Sequence, residues 1–449
     1  MQEASKFNLT IERMIYGGDG FARLPAEPGT NGRGKAVFIP FVAPGESVEA
    51  RIVEETPGFV RAEAEYILEA SPHRVQPVCE HYAACGGCHY QHIDYKRQIA
   101  IKADILRETL RRNGNVELKQ EIQTHAGLPW LYRNRVRLHL NHRPVFAVGY
   151  HRFHSNELLA VSECPISAPL LARAIELIRQ IGLSGGMPPW VREIELFINH
   201  DESSLLVEFL CDARTFSGRM GQTFAAVLEH LAEQFSEAIP QFLGVTAFEF
   251  AQSRENPDAP PRLAAIAGQS SLTYSTLVGD YHVSAGSFFQ SNRYLLDEMV
   301  NIVTAGKYGA HALDLYAGVG LFSLPLALVF DKVTAVESAY SSYTDLEHNA
   351  QSTNGKLTTA HSTTQEFLRK RRRADYVVVD PPRGGLGTDV CHELTLLEAP
   401  RICYVSCDPA TLARDLKQLM SANYRIAEAH LIDMFPQTFH IESVFHLVK

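Results

Sequence analysis

Cys407 closes the run Tyr404-Val405-Ser406-Cys407-Asp408-Pro409, 27 residues after Asp380 opens Asp380-Pro381-Pro382-Arg383-Gly384-Gly385. A thiol can add to an electron-poor carbon and later be expelled, and a carboxylate can hold the proton that moves meanwhile. Both residues follow short apolar runs, Val377-Val378-Val379 and residues 402–405, that read as buried strands. Asp408 and Pro409 stop the second strand, which puts the cysteine at the rim of a sheet. Ligands of open α/β sheets gather beyond the carboxyl ends of strands. A buried cysteine often serves only as a small apolar side chain; the rim position favours a chemical role.

A second group of thiols stands far upstream. Cys79 and Cys85 have five residues between them, Cys85 and Cys88 have two, and Cys164 follows 76 positions after Cys88. Three thiolates in one tight loop and a remote fourth can hold zinc or an iron–sulfur cluster, and spacing alone does not separate the two. Gly86-Gly87 permits sharp turns with amides close to sulfur. The distance from Asp380 and Cys407 makes this a structural metal site. A third signature, Asp314-Leu315-Tyr316-Ala317-Gly318-Val319-Gly320, places Gly-x-Gly where a strand turns into a helix. Glu337 ends the next strand, 17 residues past Gly320, where a carboxylate can accept from both ribose hydroxyls. Leu321-Phe322-Ser323 follows in place of a third glycine, so S-adenosylmethionine fits better than NAD.

The elements that must position these residues fall into three regions. Residues 7–68 read as short alternating strands with turns at Gly17-Gly18, Pro28-Gly29 and Pro44-Gly45, the pattern of a small β-barrel. After a linker at 72–77 and the cysteine loop, a helix is predicted over 95–112. A mixed region follows, with strands at 136–140 and 204–210, helices at 169–181 and 221–235, and an exposed loop at 253–261. From residue 288 strands and helices alternate, with strands at 312–315, 333–336, 376–379 and 402–405 and a final pair at 425–432 and 443–448. This is a doubly wound sheet closed by an antiparallel pair.

Composition narrows the class. The 449 residues are 45% hydrophobic and 21% charged, ordinary for a globular chain of two or three domains. No apolar run is long enough to span a membrane, and the start lacks a basic end followed by an apolar core, so a cytoplasmic location is expected. Eight cysteines there are not disulfides. A net charge of −9 argues against non-specific coating of nucleic acid. Local basic stretches remain: Arg133, Arg135 and Arg137 alternate, and the run at 369–373 reads equally as solvated surface or RNA contact.

Together these residues resemble the RNA uracil 5-methyltransferases, in the branch with an N-terminal TRAM domain and a [4Fe-4S] cluster that acts on 23S ribosomal RNA. The resemblance covers nearly the whole chain: the barrel at 1–68, the cysteines with Gly86 and Gly87, Tyr132-Arg133-Asn134-Arg135, Phe289-Gln290-Ser291-Asn292, and the signatures at Asp314, Glu337, Asp380 and Cys407. It implies an α/β chain of three parts: a TRAM RNA-binding barrel at 1–68, a central α+β domain with the cluster loop at 72–285, and a Rossmann-like S-adenosylmethionine-dependent methyltransferase at 286–449. It also implies Cys407 as nucleophile, Glu442 of Pro436-Gln437-Thr438-Phe439-His440-Ile441-Glu442 as base, and Gln290, Tyr316, Glu337 and Asp380 as the cofactor site. Cys79, Cys85, Cys88 and Cys164 become cluster ligands in a monomer without membrane contact.

Three departures stand out. Gln437 occupies a position where the family often has histidine, Phe439 one where it has a smaller residue, and Leu321 one where a polar residue is common. Transfer RNA is the alternative substrate, with ribosomal RNA favoured. An amino-methyltransferase of adenine or cytosine is disfavoured by Arg383 after the prolines and by Cys407. A non-catalytic RNA-binding or redox-sensing protein predicts loss of Cys407 or Glu442, and both stand.

Overall fold

Residues 6–25, 34–212, 220–250, 261–370 and 373–449 are described by the computed structural model, with backbone alone for 220–223. The turn expected at Pro28-Gly29, residues 253–260 of the expected loop, and Arg371 and Arg372 lie outside them.

The first strands alternate buried and exposed residues and close into a six-stranded sheet. Its order is Lys6–Thr10, Ser47–Glu55, Phe59–Glu69, Ala36–Ile39, Gly20–Arg23 and Arg13–Met14, around Leu9, Val37, Ile39, Val48 and Val60. Gly17, Gly18 and Gly45 adopt φ of +108°, +98° and +85°, the conformations such turns require. The middle of the chain forms a seven-stranded sheet with Leu158–Ala160 and Arg262–Gly268 at its edges, backed by the helices Pro169–Leu183 and Met220–Ala238.

The third sheet carries the signatures. Its order is Leu357–His361, Phe330–Glu337, Gly309–Leu315, Tyr376–Val379, Arg401–Ser406, Glu442–Val448, Arg425–Ile432 and Gln123–His125. The first five strands are parallel and the Glu442–Val448 strand runs against Arg401–Ser406. Val377 and Val379 pack on one face with Leu315, Ile402 and Tyr404, while Val378 packs on the other with Ala312, Cys403 and Val444. Burial on both faces explains why this strand reads as an unbroken apolar run. The hairpin of Ser271–Thr276 and Gly279–Ser284 joins the second of these clusters through Tyr274 and Tyr281.

Two strands of this sheet lie beyond the sequence expectation: Leu357–His361 at one edge and Gln123–His125, from just after the first long helix, at the other. That helix, Tyr95–Thr109, is capped by Asp94, whose carboxylate accepts from the Arg97 amide at 3.0 Å, and passes into a π turn at Leu110–Gly114. A β-carbon on Gly114 would meet the Ala413 carbonyl oxygen at 2.4 Å, so glycine is what permits the turn to touch the helix after Cys407.

Candidate active site

Asp380, Cys407 and Glu442 come from three neighbouring strands. Val379 pairs with Tyr404, so Asp380 and the residues after Ser406 leave the sheet side by side. Ser406 pairs with Ser443, so Glu442, starting the antiparallel strand, stands across from Cys407. The loop after Asp380 is tied to the helix after Cys407: the Asp415 carboxylate accepts from the Leu386 amide at 2.7 Å, and Arg414 Nη2 donates to the Gly384 carbonyl at 2.8 Å. Asp408 is committed to capping that helix, accepting from the Ala410 and Thr411 amides at 2.9 Å each.

The electrostatics of the three residues are shared. Burial pushes the Cys407 thiol up to about 12, the negative charges of Glu442 and Asp380 push the same way, and Arg383 opposes them. Burial also lifts Asp380, with Asp314 adding to it, and lifts Glu442 well above the carboxylate range, with Asp380 adding to it. His440, one turn of chain away, is driven down to about 3 by burial and then by Arg383, and stays a neutral imidazole. Burial thus raises the proton affinity of the thiol and of both carboxyls together.

The glycine turn lies one strand away. Tyr316 is left-handed at φ +62°, followed by Gly318 at +56° and Gly320 at +97°. Glu337 holds this turn through Oε2, which accepts from the Gly318 amide at 2.9 Å, while Oε1 accepts from the Ser338 and Ala339 amides just after it at 2.7 and 2.6 Å. Leu321 is buried in the apolar cluster, and its carbonyl accepts from the Tyr281 hydroxyl at 3.0 Å, so its side chain is a packing residue. Gln290 is buried, and its carbonyl accepts from Asn134 Nδ2 at 3.2 Å.

Residues 433–441, which lead into Glu442, are held from every side. Lys102 Nζ donates to Asp433 Oδ1 at 2.6 Å and to the Phe435 carbonyl at 2.9 Å, with both charged side chains fully buried. Asn292 Nδ2 donates to the Met434 carbonyl at 3.0 Å, and the Tyr132 hydroxyl to the Pro436 carbonyl at 3.1 Å. Gln437, left-handed at φ +69°, exchanges amide hydrogen bonds with Gln98, and its carbonyl accepts from both the His89 and Tyr90 amides at 2.9 Å. Phe439 meets the His89 ring at 4.6 Å and the Tyr16 ring edge-on at 5.6 Å. Tyr16 also approaches the Cys407 carbonyl, its hydroxyl 3.4 Å away. The two departures at Gln437 and Phe439 are therefore packing contacts between this loop and the N-terminal half. Of the residues that make them, Tyr16, His89, Gln98 and Lys102 carry no signal in the sequence.

Cys79, Cys85, Cys88 and Cys164 line one cavity of about 200 Å³ with Arg133, Tyr150 and Gln91. Burial raises the thiols of Cys79, Cys85 and Cys88, the last to about 12. Arg135, by contrast, is bound by Glu195 and Glu208, and Arg137 by Glu195 and Glu193, so these two arginines are neutralised internally. Among the described residues, no helix is long and apolar enough to cross a membrane.

A family model described as tRNA (Uracil-5-)-methyltransferase matches residues 270–449, and a TRAM domain model matches residues 2–64. The 23S rRNA (uracil(1939)-C(5))-methyltransferase RlmD of Halomonas elongata is 30% identical, over 98% of this chain and 89% of its own length. The chain belongs to the RNA uracil-5-methyltransferase family. An uncharacterized RNA methyltransferase of Aquifex aeolicus is 31% identical over 97% of each chain. The crystal structure of the Pyrococcus abyssi tRNA (uracil-54, C5)-methyltransferase, in complex with S-adenosyl-L-homocysteine, superposes with a TM-score of 0.73 over 98% of this chain and all of its own, at 24% identity, and shares the fold. This protein is accordingly an RNA uracil-5-methyltransferase, with a TRAM domain ahead of a methyltransferase fold.

Proposed function

We propose that this enzyme transfers the methyl group of S-adenosylmethionine to carbon 5 of a uridine in 23S ribosomal RNA, through a covalent bond between Cys407 and the uracil ring. The observation that carries the proposal is the register that sets Glu442 across from Cys407 with Asp380 alongside. Carbon 5 of uracil is a poor nucleophile. Addition of the Cys407 sulfur to carbon 6 makes the ring an enolate whose carbon 5 can take the methyl group. Glu442 then removes the carbon 5 proton, the carbon 6–sulfur bond breaks, and the thiolate is released. Two protons must be taken up along the way, one from the thiol and one from carbon 5, and two carboxyls of raised proton affinity stand beside them. When bound, the cofactor would supply an electrophilic methyl group on a positively charged sulfur and leave as the neutral thioether S-adenosylhomocysteine. Gln290, Tyr316, Glu337 and Asp380 would hold it around the glycine turn, where a cation draws Asp380 toward its anion. Extruding the uridine from its stack costs a few kcal/mol.

The ribosomal substrate is supported by RlmD relatives from Halomonas elongata and Pseudomonas fluorescens, each 30% identical over 98% of this chain. For the metal, the four thiols and the cavity fit a [4Fe-4S] cluster. A tetrahedral zinc with bonds of 2.3 Å needs sulfurs about 3.8 Å apart. Four thiols around one cavity suit either group, and the family resemblance favours the cluster. The cluster's place is structural, joining residue 164 to the loop at 79–88.

The test is a denaturing gel with substrate RNA and a radiolabelled methyl donor. Glu442→Gln should add the thiolate and accept the methyl group, then stall as a labelled protein–RNA band; Cys407→Ala should give neither band nor product. A trapped band or near-normal 5-methyluridine from Cys407→Ala would place the nucleophile elsewhere. Normal turnover by Glu442→Gln removes only the base; Asp408 is engaged as a cap, which leaves His440 as the next candidate. Mapping 5-methyluridine in ribosomal and transfer RNA from a strain lacking the protein decides between the two substrates.

A further inference from the structure

The last two strands hold a group of donors that the methyl-transfer chemistry does not use. Glu428 and His430 lie on the Arg425–Ile432 strand, and His446, the register partner of Glu428, lies on the Glu442–Val448 strand. One donor atom from each of the three lies within 4.8 Å of the other two. Both imidazoles are buried and the Glu428 carboxylate opens to solvent. His446 follows Glu442 by four residues, about 13 Å along an extended strand, so the group sits away from the catalytic end.

The surrounding hydrogen bonds fix where the protons are. Glu298 Oε1 lies 2.8 Å from His125 Nδ1, and a carboxylate only accepts, so His125 carries its hydrogen there. His125 Nε2 then turns a lone pair on His430 Nδ1 at 3.1 Å, which places the His430 hydrogen on Nδ1. A lone pair is left on His430 Nε2, and its neighbour at 3.3 Å is Glu428 Oε2, a second acceptor. His446 Nε2 donates to the Ile302 carbonyl at 3.1 Å, which frees the lone pair on Nδ1. Each imidazole is thus left with one lone-pair nitrogen, and the Glu428 carboxylate beside them only accepts. Each imidazole has its second nitrogen anchored to a histidine–carboxylate relay or a backbone carbonyl, the arrangement that orients metal-bound histidines.

We propose that Glu428, His430 and His446 bind Zn²⁺, with a solvent molecule in the fourth position. Two imidazoles and a carboxylate are a donor set for zinc, whereas Mg²⁺ and Ca²⁺ prefer oxygen alone. A proton between His430 and Glu428 is the competing occupant. The relay from Glu298 through His125 already sets the His430 hydrogen on Nδ1, away from Glu428, and Lys307 lies near enough to act electrostatically on all three groups. The Glu428 and Glu298 carboxylates balance the Lys307 ammonium and leave net negative charge for a dication. Bound there, zinc ties together the two closing strands. Through His125 and Glu298 it also ties the Gln123–His125 strand and the Leu296–Thr304 helix.

The test titrates the full-length, chelator-washed protein with Zn²⁺ against a chromophoric chelator and counts the zinc retained after desalting. Zinc taken by the cysteines is common to all variants, so the quantity read is a difference. Wild type should retain one zinc per chain more than His430→Gln or His446→Gln, and Mg²⁺ should not replace it. His125→Ala keeps all three ligands and should weaken the site 10- to 100-fold. Glu428→Gln changes a surface side chain that folding tolerates, and should lower affinity at least tenfold. Zinc should also raise the melting temperature of wild type more than that of His446→Gln. Equal zinc content and affinity in wild type, Glu428→Gln and the histidine variants would overturn the site and leave a proton-linked cluster.

Discussion

Asp314 shows how much of this site is built on stored protons. It is fully buried below the glycine turn, with Oδ2 accepting the Ser323 hydroxyl at 2.5 Å and Oδ1 without a partner. Burial lifts its pKa to about 7, Ser323 opposes the shift, and Glu337 adds to it. The folded protein therefore holds a proton that the unfolded chain releases near pH 4. The stability linked to that proton is complete below about pH 4 and is lost as pH rises through about 7. Asp314→Asn removes the linkage. Relative to wild type, its melting temperature should climb as pH rises from 5 to 8, and a gap that stays constant with pH contradicts the assignment. Individual residues were unequally legible in the sequence. Asp380 and Cys407 announce themselves because a buried strand ends at each. Glu442 follows a proline-led loop and does not end an apolar strand, so only the family resemblance singled it out. Tyr16, Gln98 and Lys102 meet the site across 391, 339 and 331 positions, and no local pattern encodes such contacts.

Among the elements, the stretch from Asp433 to Ile441 bears the most weight, because its geometry sets where Glu442 begins. The Lys102–Asp433 pair anchors its first turn with both groups withdrawn from water, and burial pulls the Lys102 ammonium below its ordinary range, with Asp433 pulling back. Removing one member strands the other charge in the interior, at a cost on the order of 3–5 kcal/mol. Lys102→Met or Asp433→Leu alone should thus lower the urea midpoint steeply, and the double variant should recover most of the loss. A double variant no more stable than either single one would show that the pair contributes beyond mutual neutralisation. The strand–helix alternation was readable because the central strands are apolar on both faces. Leu357–His361 and Gln123–His125 escaped for the converse reason: both are edge strands, with one buried residue between them. Arg135 and Arg137 misled in the opposite sense, since alternation shows which face a side chain takes and not that Glu195 waits there.

Across the whole molecule, each region contributes to the grip on residues 433–441. The barrel supplies Tyr16, the cysteine loop His89 and Tyr90, the first long helix Gln98 and Lys102, and the central region Tyr132. His89 follows Cys88 directly, so two of the amides that hold Gln437 belong to the loop that carries three of the four proposed cluster ligands. Protein purified without oxygen should carry about four irons per chain; stoichiometric zinc without iron would replace the cluster by a zinc site. Withdrawing the metal leaves buried thiols with no charge to organise them, and the loop at 79–90 should loosen. The consequence is local and directional. Hydrogen exchange of the amides at 89, 90 and 437–441 should accelerate in the metal-depleted protein, while amides of the Gly309–Leu315 strand keep their protection. Affinity for S-adenosylmethionine should fall by much less than turnover does, because the glycine turn is held by Glu337 and not by the cysteine loop. Exchange that rises equally in both segments would instead mark global unfolding. Unchanged exchange at 437–441 would mean that the contacts of His89 and Tyr90 form without the metal.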